Sequence, residues 1–156
     1  LYEYFRRAWW SGEKGDFFVK HDWDMEFRDM DKLGHALGGY QLTRMGGGLL
    51  RAACVGDRKA MLWGAAYAAA FQFQIEVWDG YQKKYGFSPP DLLFNTAGAA
   101  YAVLQHEAPR LRAVKPTISY ARTYYAREPD RWPAGTVATE IRPTVDYAGQ
   151  TYWLSV

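Results

Sequence analysis

Between residues 31 and 108 the apolar positions recur three and four apart, and the chain divides into three helical stretches. The first begins at Asp29 or Asp31, either of which can cap it, and carries Leu33, Leu37, Tyr40 and Leu42 at helical spacing. Gly46-Gly47-Gly48 falls inside it, and because each interior glycine costs roughly 1 kcal/mol against alanine, the pattern predicts a break there. The second stretch runs from about Arg58 to Tyr81, is rich in alanine, and places Gln72, Gln74, Glu76 and Asp79 in its last two turns. The third is the best marked. Ser88 stands as its cap, Pro89 at its first position and Asp91 in the capping-box place, and the run from Leu92 to His106 is stopped by Pro109.

The flanks read differently. Residues 1–30 form an aromatic arm in which Phe17-Phe18-Val19 suits a short strand, ending in the acidic run Asp22, Asp24, Glu26, Asp29 and Asp31. Beyond Pro109 a further helix is expected over 110–128, carrying Ile118, Tyr120, Tyr124 and Tyr125, with Pro116 at its start or interrupting it. From Thr136 to Val156 the apolar residues fall mostly two apart, and Ala148-Gly149-Gln150 reads as a turn, which predicts a two-stranded hairpin. A terminal strand with such an apolar face calls for a partner, either chain beyond Val156 or another molecule. The expected fold is mainly α over a single domain, 1–156. An N-terminal arm (1–30) precedes a helical core (31–108) of three to four packed helices around a central antiparallel helical hairpin, and an extension (109–156) ends in a β-hairpin.

A chain of 156 residues is long enough to bury a core without staples. With 19 basic against 17 acidic side chains, scattered along the chain, there is no basic face dense enough to compete for phosphate backbones, so nucleic acid is excluded as a partner. The single cysteine, Cys54, lacks the partners of a disulfide or a zinc site and reads as a small buried filler. No uninterrupted apolar run reaches the length of a membrane span, and no signal peptide is visible at Leu1. Two long stretches of glycine and alanine are of the kind that pack very closely, in a dry core or in lipid. Trp9 and Trp10 beside Arg6 and Arg7 suit either a membrane interface or a packed arm.

One constellation carries chemistry. The loop from Gly80 to Phe87 is too short to do more than reverse the chain, so the second and third helices run antiparallel. Asp79 and Asp91 then flank the turn, Glu76 faces Asn95, Gln72 faces Gly98, and Ala68 faces Ala102. Asp31, Lys32 and His35 at the start of the first helix reach the same place, with Gly34 and Gly38 offering the small surface through which that helix packs into the hairpin. A histidine among carboxylates can be a metal site, with His35, Glu76, Asp79 and Asp91 as candidates, a general acid/base pair, or a buried ion network. No cofactor is required by the pattern. His21 and His106 look solitary, Gly46-Gly47-Gly48 lacks the Lys-Ser/Thr of a phosphate loop, and Ser11, Ser119 and Ser155 lack the setting of a nucleophile.

Asp31-Lys32-x-x-His35, Glu76-x-x-Asp79 and Gly86-Phe87-Ser88-x-x-Asp91-x-x-x-Asn95-x-x-Gly98 together resemble the YfiM-like family of predicted periplasmic lipoproteins, a family of unknown function. The approach to Met30-Asp31-Lys32 and the later Asp146-Tyr147-x-Gly149-Gln150-Thr151-Tyr152-Trp153-Leu154 resemble the longer members from bacteria of the Bacteroidetes type. The half from Glu76 to Gly98 is similar to VanZ-like membrane proteins. The resemblance implies a cell-envelope, periplasmic and membrane-associated address and a helical core holding Asp31, Lys32, His35, Glu76, Asp79, Ser88, Asp91, Asn95 and Gly98. The chain departs from it in showing no lipobox cysteine, since residue 1 is Leu. The expectation is a non-enzymatic subunit or scaffold docked on a membrane or an outer-membrane protein assembly, with strand pairing through the C-terminal hairpin as a further contact. The alternative is a metal- or phosphate-dependent hydrolase of an envelope lipid or cell-wall precursor, with His35 and Glu76 as ligand or base and Lys32 holding an anion.

Overall fold

The computed structural model describes residues 10, 12–21, 23, 29–123 and 147–156. The chain is mainly α. Three helices, α1 (Met30–Ala52), α2 (Asp57–Asp79) and α3 (Pro89–Glu107), pack on one another, and a 3-10 turn (Pro109–Ala113) leads to two antiparallel strands, β1 (Lys115–Tyr120) and β2 (Gln150–Ser155).

The glycine triplet does not break α1. It is the place where α2 crosses: a Cβ on Gly64 would lie 2.6 Å from the Gly47 nitrogen and 2.7 Å from the Thr43 carbonyl, and one on Gly47 would lie 2.7 Å from the Met61 sulfur. The propensity penalty of the glycines is offset by backbone approach that no larger residue permits. Closer to the α2–α3 loop the contact is made by Gly39 against the Asn95 carbonyl and by Gly98 against that of Ala36, where an added Cβ would collide with backbone. Gly34 and Gly38 have other neighbours, the Tyr152 hydroxyl and the Gln72 amide, each 3.1 Å from the added Cβ. Gly38 thus meets the hairpin through a side chain, and Gly34 meets β2.

Residues 110–120 form no α-helix. After the 3-10 turn, Pro116 takes a place in β1 opposite Leu154, where the φ of proline suits extended backbone and its missing N–H is tolerated in a two-stranded sheet. The terminal strand therefore finds its partner inside the chain, with Ile118 opposite Tyr152 and Tyr120 opposite Gln150. Tyr147–Gly149 is a 3-10 turn leading straight into β2. Residues 124–146, where the other strand of the expected hairpin and the rest of the expected helix fall, lie outside the described residues, as do Arg6, Arg7, Trp9, Asp22, Asp24 and Glu26.

The arm is held by backbone bonds rather than as a strand of its own. Gly15 donates to the Tyr81 carbonyl at 2.9 Å and Lys83 to that of Glu13 at 3.2 Å, giving an antiparallel bridge at Lys14–Gln82, and Lys20 donates to the Phe87 carbonyl at 2.8 Å and Phe87 to that of Phe18 at 3.0 Å, giving a parallel one at Val19–Phe87. Trp10 is buried, set edge-on against Trp78 at 4.6 Å between ring centroids, so at this residue the arm is packed. Cys54 is exposed, at φ 62° in the turn after α1, and fills no core.

The distribution of side chains is inverted relative to an ordinary globular core. The largest fully buried side chains are Tyr40, Lys32, Glu76, Asn95 and Thr43, whereas Trp63 is 66% exposed, Leu49 72%, Leu93 60% and Tyr67 58%. On α2 the inward stripe is Ala60, Met61, Gly64, Ala68, Gln72 and Glu76, small and then polar, while Leu62, Trp63, Tyr67 and Phe73 face out.

Candidate functional site

The site lies at the end of the bundle next to the α2–α3 loop, where the first turns of α1 and α3 meet the last turns of α2. Ser88 accepts the Asp91 backbone N–H at 3.1 Å, the cap that the Ser-Pro-Pro-Asp sequence predicts. The Asp91 carboxylate is directed into the bundle, where Lys32 Nζ stands 2.8 Å from its Oδ1 and 2.9 Å from Asp31 Oδ2. The Lys32 side chain is 1% exposed. Burial alone pulls an ammonium pKa down, yet the hydrogen bonds and charges of Asp91 and Asp31 more than offset it, and the group is held above its ordinary value. Asp29 occupies the N-cap position of α1 without a capping bond from its side chain, and Asp31 serves Lys32, so neither carboxylate caps the helix as expected.

Glu76, 1% exposed, receives the Ser88 backbone N–H at 3.4 Å on one oxygen and the Asn95 amide at 3.5 Å on the other. Asn95 turns its own oxygen to His35 Nδ1 at 2.9 Å and to the Gln72 amide, which also donates to the His35 carbonyl at 3.3 Å. His35 thereby lies between two carboxylates, Nδ1 at 3.7 Å from Glu76 Oε1 and Nε2 at 3.6 Å from Asp91 Oδ2, within the reach of a single water. The imidazole is 27% exposed and forms the mouth of the cluster.

Of the residues predicted to converge, Asp31, Lys32, His35, Glu76, Ser88, Asp91 and Asn95 do so. Asp79 stands aside. It accepts the Trp10 indole N–H at 2.5 Å, and burial raises its carboxyl to about 6, with the Trp10 bond and His35, when protonated, pulling the other way and Asp91 adding to the rise. His35, Glu76 and Asp91 each offer one ligand atom within 4.8 Å of the others, so three of the four candidate metal ligands are brought together and Asp79 is not among them.

Three participants escape the sequence pattern as a site. Gln72 reads from sequence as a helix-face polar residue and proves to lock Asn95 and the turn at His35. Trp10 comes from the arm. Tyr152 comes from β2 to lie over Gly34, its phenol pushed up by burial and by the Asp31 charge. A second polar layer lies deeper: the Tyr40 hydroxyl donates to Gln105 Oε1 and accepts from Arg44, both at 2.8 Å, and Gln105 donates to the Val114 carbonyl at 2.5 Å. His106 is not solitary, with Nε2 3.6 Å from Asp57, but this pair lies at the opposite end of the bundle.

A family model described as predicted periplasmic lipoprotein (DUF2279) matches residues 23–107, more than half of the chain and all three helices. The chain belongs to this family. Every residue of the cluster lies inside the matched segment, and the address that goes with the family is periplasmic. Comparisons with curated proteins and with solved structures give no match. Among the described residues no helix is long and apolar enough to cross a membrane.

Proposed function

We infer that this protein is a non-enzymatic component of the cell envelope that docks on a lipid surface through the outer faces of its helices, with the polar cluster as the internal lock that fixes their packing. The inverted distribution of side chains carries this reading. A water-facing helix ordinarily turns its bulky apolar residues inward, because burying each is worth about 1.5–3 kcal/mol. Here α2 exposes Leu62, Trp63, Tyr67 and Phe73 and buries Gln72 and Glu76. Small residues between helices and polar groups facing the bundle interior are how helices pack where the surroundings are apolar. At the end of the bundle marked by the Arg58–Glu107 contact, exposed Arg51, Arg58, Lys59, Arg110 and Arg112 border the apolar face. Basic residues beside aromatic rings suit an anionic headgroup layer.

The narrower likeness to YfiM-like lipoproteins and, over Glu76 to Gly98, to VanZ-like membrane proteins fits a membrane-side address. The hydrolase alternative asks Lys32 to hold an anion, but Lys32 is enclosed between Asp31 and Asp91, which would repel one. Flotation of the 1–156 chain with vesicles of phosphatidylethanolamine and phosphatidylglycerol tests the reading. The chain is expected to float, and Leu62→Glu with Trp63→Glu to leave it in the aqueous fraction with its helical circular dichroism intact. A parent chain that stays in the aqueous fraction as a folded monomer refutes it.

A further inference from the structure

The hydrogen bonds around His35 fix its tautomer. The Gln72 amide nitrogen is identified by the His35 carbonyl that it meets, since a carbonyl only accepts; the Asn95 nitrogen is identified in the same way by the Glu76 carboxylate. Asn95 therefore presents its oxygen to His35, already accepting from Gln72, and His35 Nδ1 must be the N–H donor of the 2.9 Å bond. In the neutral ring Nε2 is then a bare lone pair. It faces Asp91 Oδ2, another lone pair, across 3.6 Å. Asp91 is nine-tenths buried, its Oδ1 is held by Lys32, and its Oδ2 makes no hydrogen bond among the described residues. Two acceptors aimed at each other across such a gap call for a cation between them.

We propose that His35, Glu76 and Asp91 bind one divalent transition-metal ion of the zinc or manganese type, with His35 Nε2 and Asp91 Oδ2 as the first edge of its coordination shell. The 3.6 Å between these atoms matches the donor–donor edge of about 3.4 Å that tetrahedral bonds of about 2.1 Å produce. One imidazole and two carboxylates form a donor set that zinc and manganese accept, and softer thiolate-seeking ions do not prefer. The outer shell is already built: Asn95 takes the second ring nitrogen, Lys32 takes the second Asp91 oxygen, and the Ser88 N–H and the Asn95 amide hold Glu76. Such partners orient ligands before the ion arrives. The exposed edge of the imidazole is the entry path. This site is independent of lipid docking, since it lies inside the bundle.

Titration calorimetry of the chelator-treated 1–156 chain with zinc chloride and with manganese chloride, at slightly alkaline pH, tests the proposal. One ion per chain is expected, with a rise in thermal midpoint and a shift of the His35 Nε2 resonance in nitrogen NMR while Nδ1 keeps its proton. His35→Ala, at a partly exposed position, should stay folded and weaken binding by a hundredfold or more. Asp91→Asn should weaken it as well, whereas His106→Ala and His21→Ala should leave it unchanged. Absence of binding at millimolar metal, binding that survives His35→Ala, or a His35 ring protonated on both nitrogens and unmoved by zinc would each overturn the proposal.

Discussion

The two ends of the helical bundle are built from the same three helices by opposite means. At the α1–α2 turn the contact is backbone on backbone: Gly47 and Gly64 let α1 and α2 touch where any side chain would intrude, and Ala60 and Met61 fill what remains. At the α2–α3 loop α1 and α3 still touch at Gly39 and Gly98, but from there to the loop the helices are spaced by charged or amide-bearing side chains: Lys32 between two aspartates, Asn95 between Glu76 and His35. Close packing is sensitive to volume and indifferent to charge. An enclosed polar lattice is the reverse, because removing one partner leaves the others desolvated without compensation. The contrast also bears on function. A bundle needing only to hold together could repeat the glycine contact along its whole length, so the polar end is where a bound ion or a specific geometry is to be sought.

The tightest contact in the bundle is that of Gly98 with Ala36. Gly98→Ala drives a methyl group into the Ala36 backbone carbonyl, which cannot swing aside, and should cost more than about 3 kcal/mol or abolish the folded state, as read from urea unfolding. A variant that keeps its parent's midpoint would mean that α1 and α3 are not this close. Lys32→Met comes next. It keeps the length of the stem but leaves Asp31 and Asp91 facing each other in a buried place, and about 3 kcal/mol should be lost in urea unfolding. A midpoint equal to the parent's would show that packing of the stem, and not the charge, is what Lys32 supplies.

A third variant sharpens the difference by pH. The Asp79 carboxyl, raised to about 6 in the folded protein from the ordinary 3.8, keeps its proton between these values while the unfolded chain has lost it. Its contribution therefore favours folding most at acid pH and declines as pH rises through that window, staying unfavourable above it. Asp79→Asn preserves an oxygen for the Trp10 indole and removes the titration. It should gain about 1–2 kcal/mol on its parent between pH 4 and pH 7, and a pH-independent difference would contradict the burial of this carboxyl. The smallest effect is that of Ser88→Ala, about 1 kcal/mol for the lost cap of α3, measured as a shift in thermal midpoint.

These differences follow what the chain makes legible. The third helix is written in local signals, Ser88, Pro89 and Asp91, and it forms where they place it. The convergence of Glu76, Asp91, Asn95 and His35 follows from helical spacing and a short loop. Gly46-Gly47-Gly48 misleads because local propensity registers the cost of a glycine and not the contact it permits, which depends on Gly64 seventeen residues away. Asp79 misleads because its neighbour, Trp10, lies on an arm whose route no periodicity predicts. The strand at 115–120 is hidden by Pro116, which argues against a helix interior and says nothing about a pairing with Leu154. Cys54 follows a general preference for burial that a tight turn overrides.

The bundle is apolar outward and polar inward, and we propose that its outer surface meets lipid. Nitroxide labels placed singly at Trp63, Tyr67 and Leu104, on a background with Cys54 replaced by serine, test it most directly through their relative access to oxygen and to a water-soluble nickel chelate. With anionic vesicles present, oxygen access should rise and nickel access fall at all three positions, while a label on the exposed Thr151 of β2 stays in water. Labels at 63, 67 and 104 that remain as accessible to nickel with vesicles as without them would contradict the account.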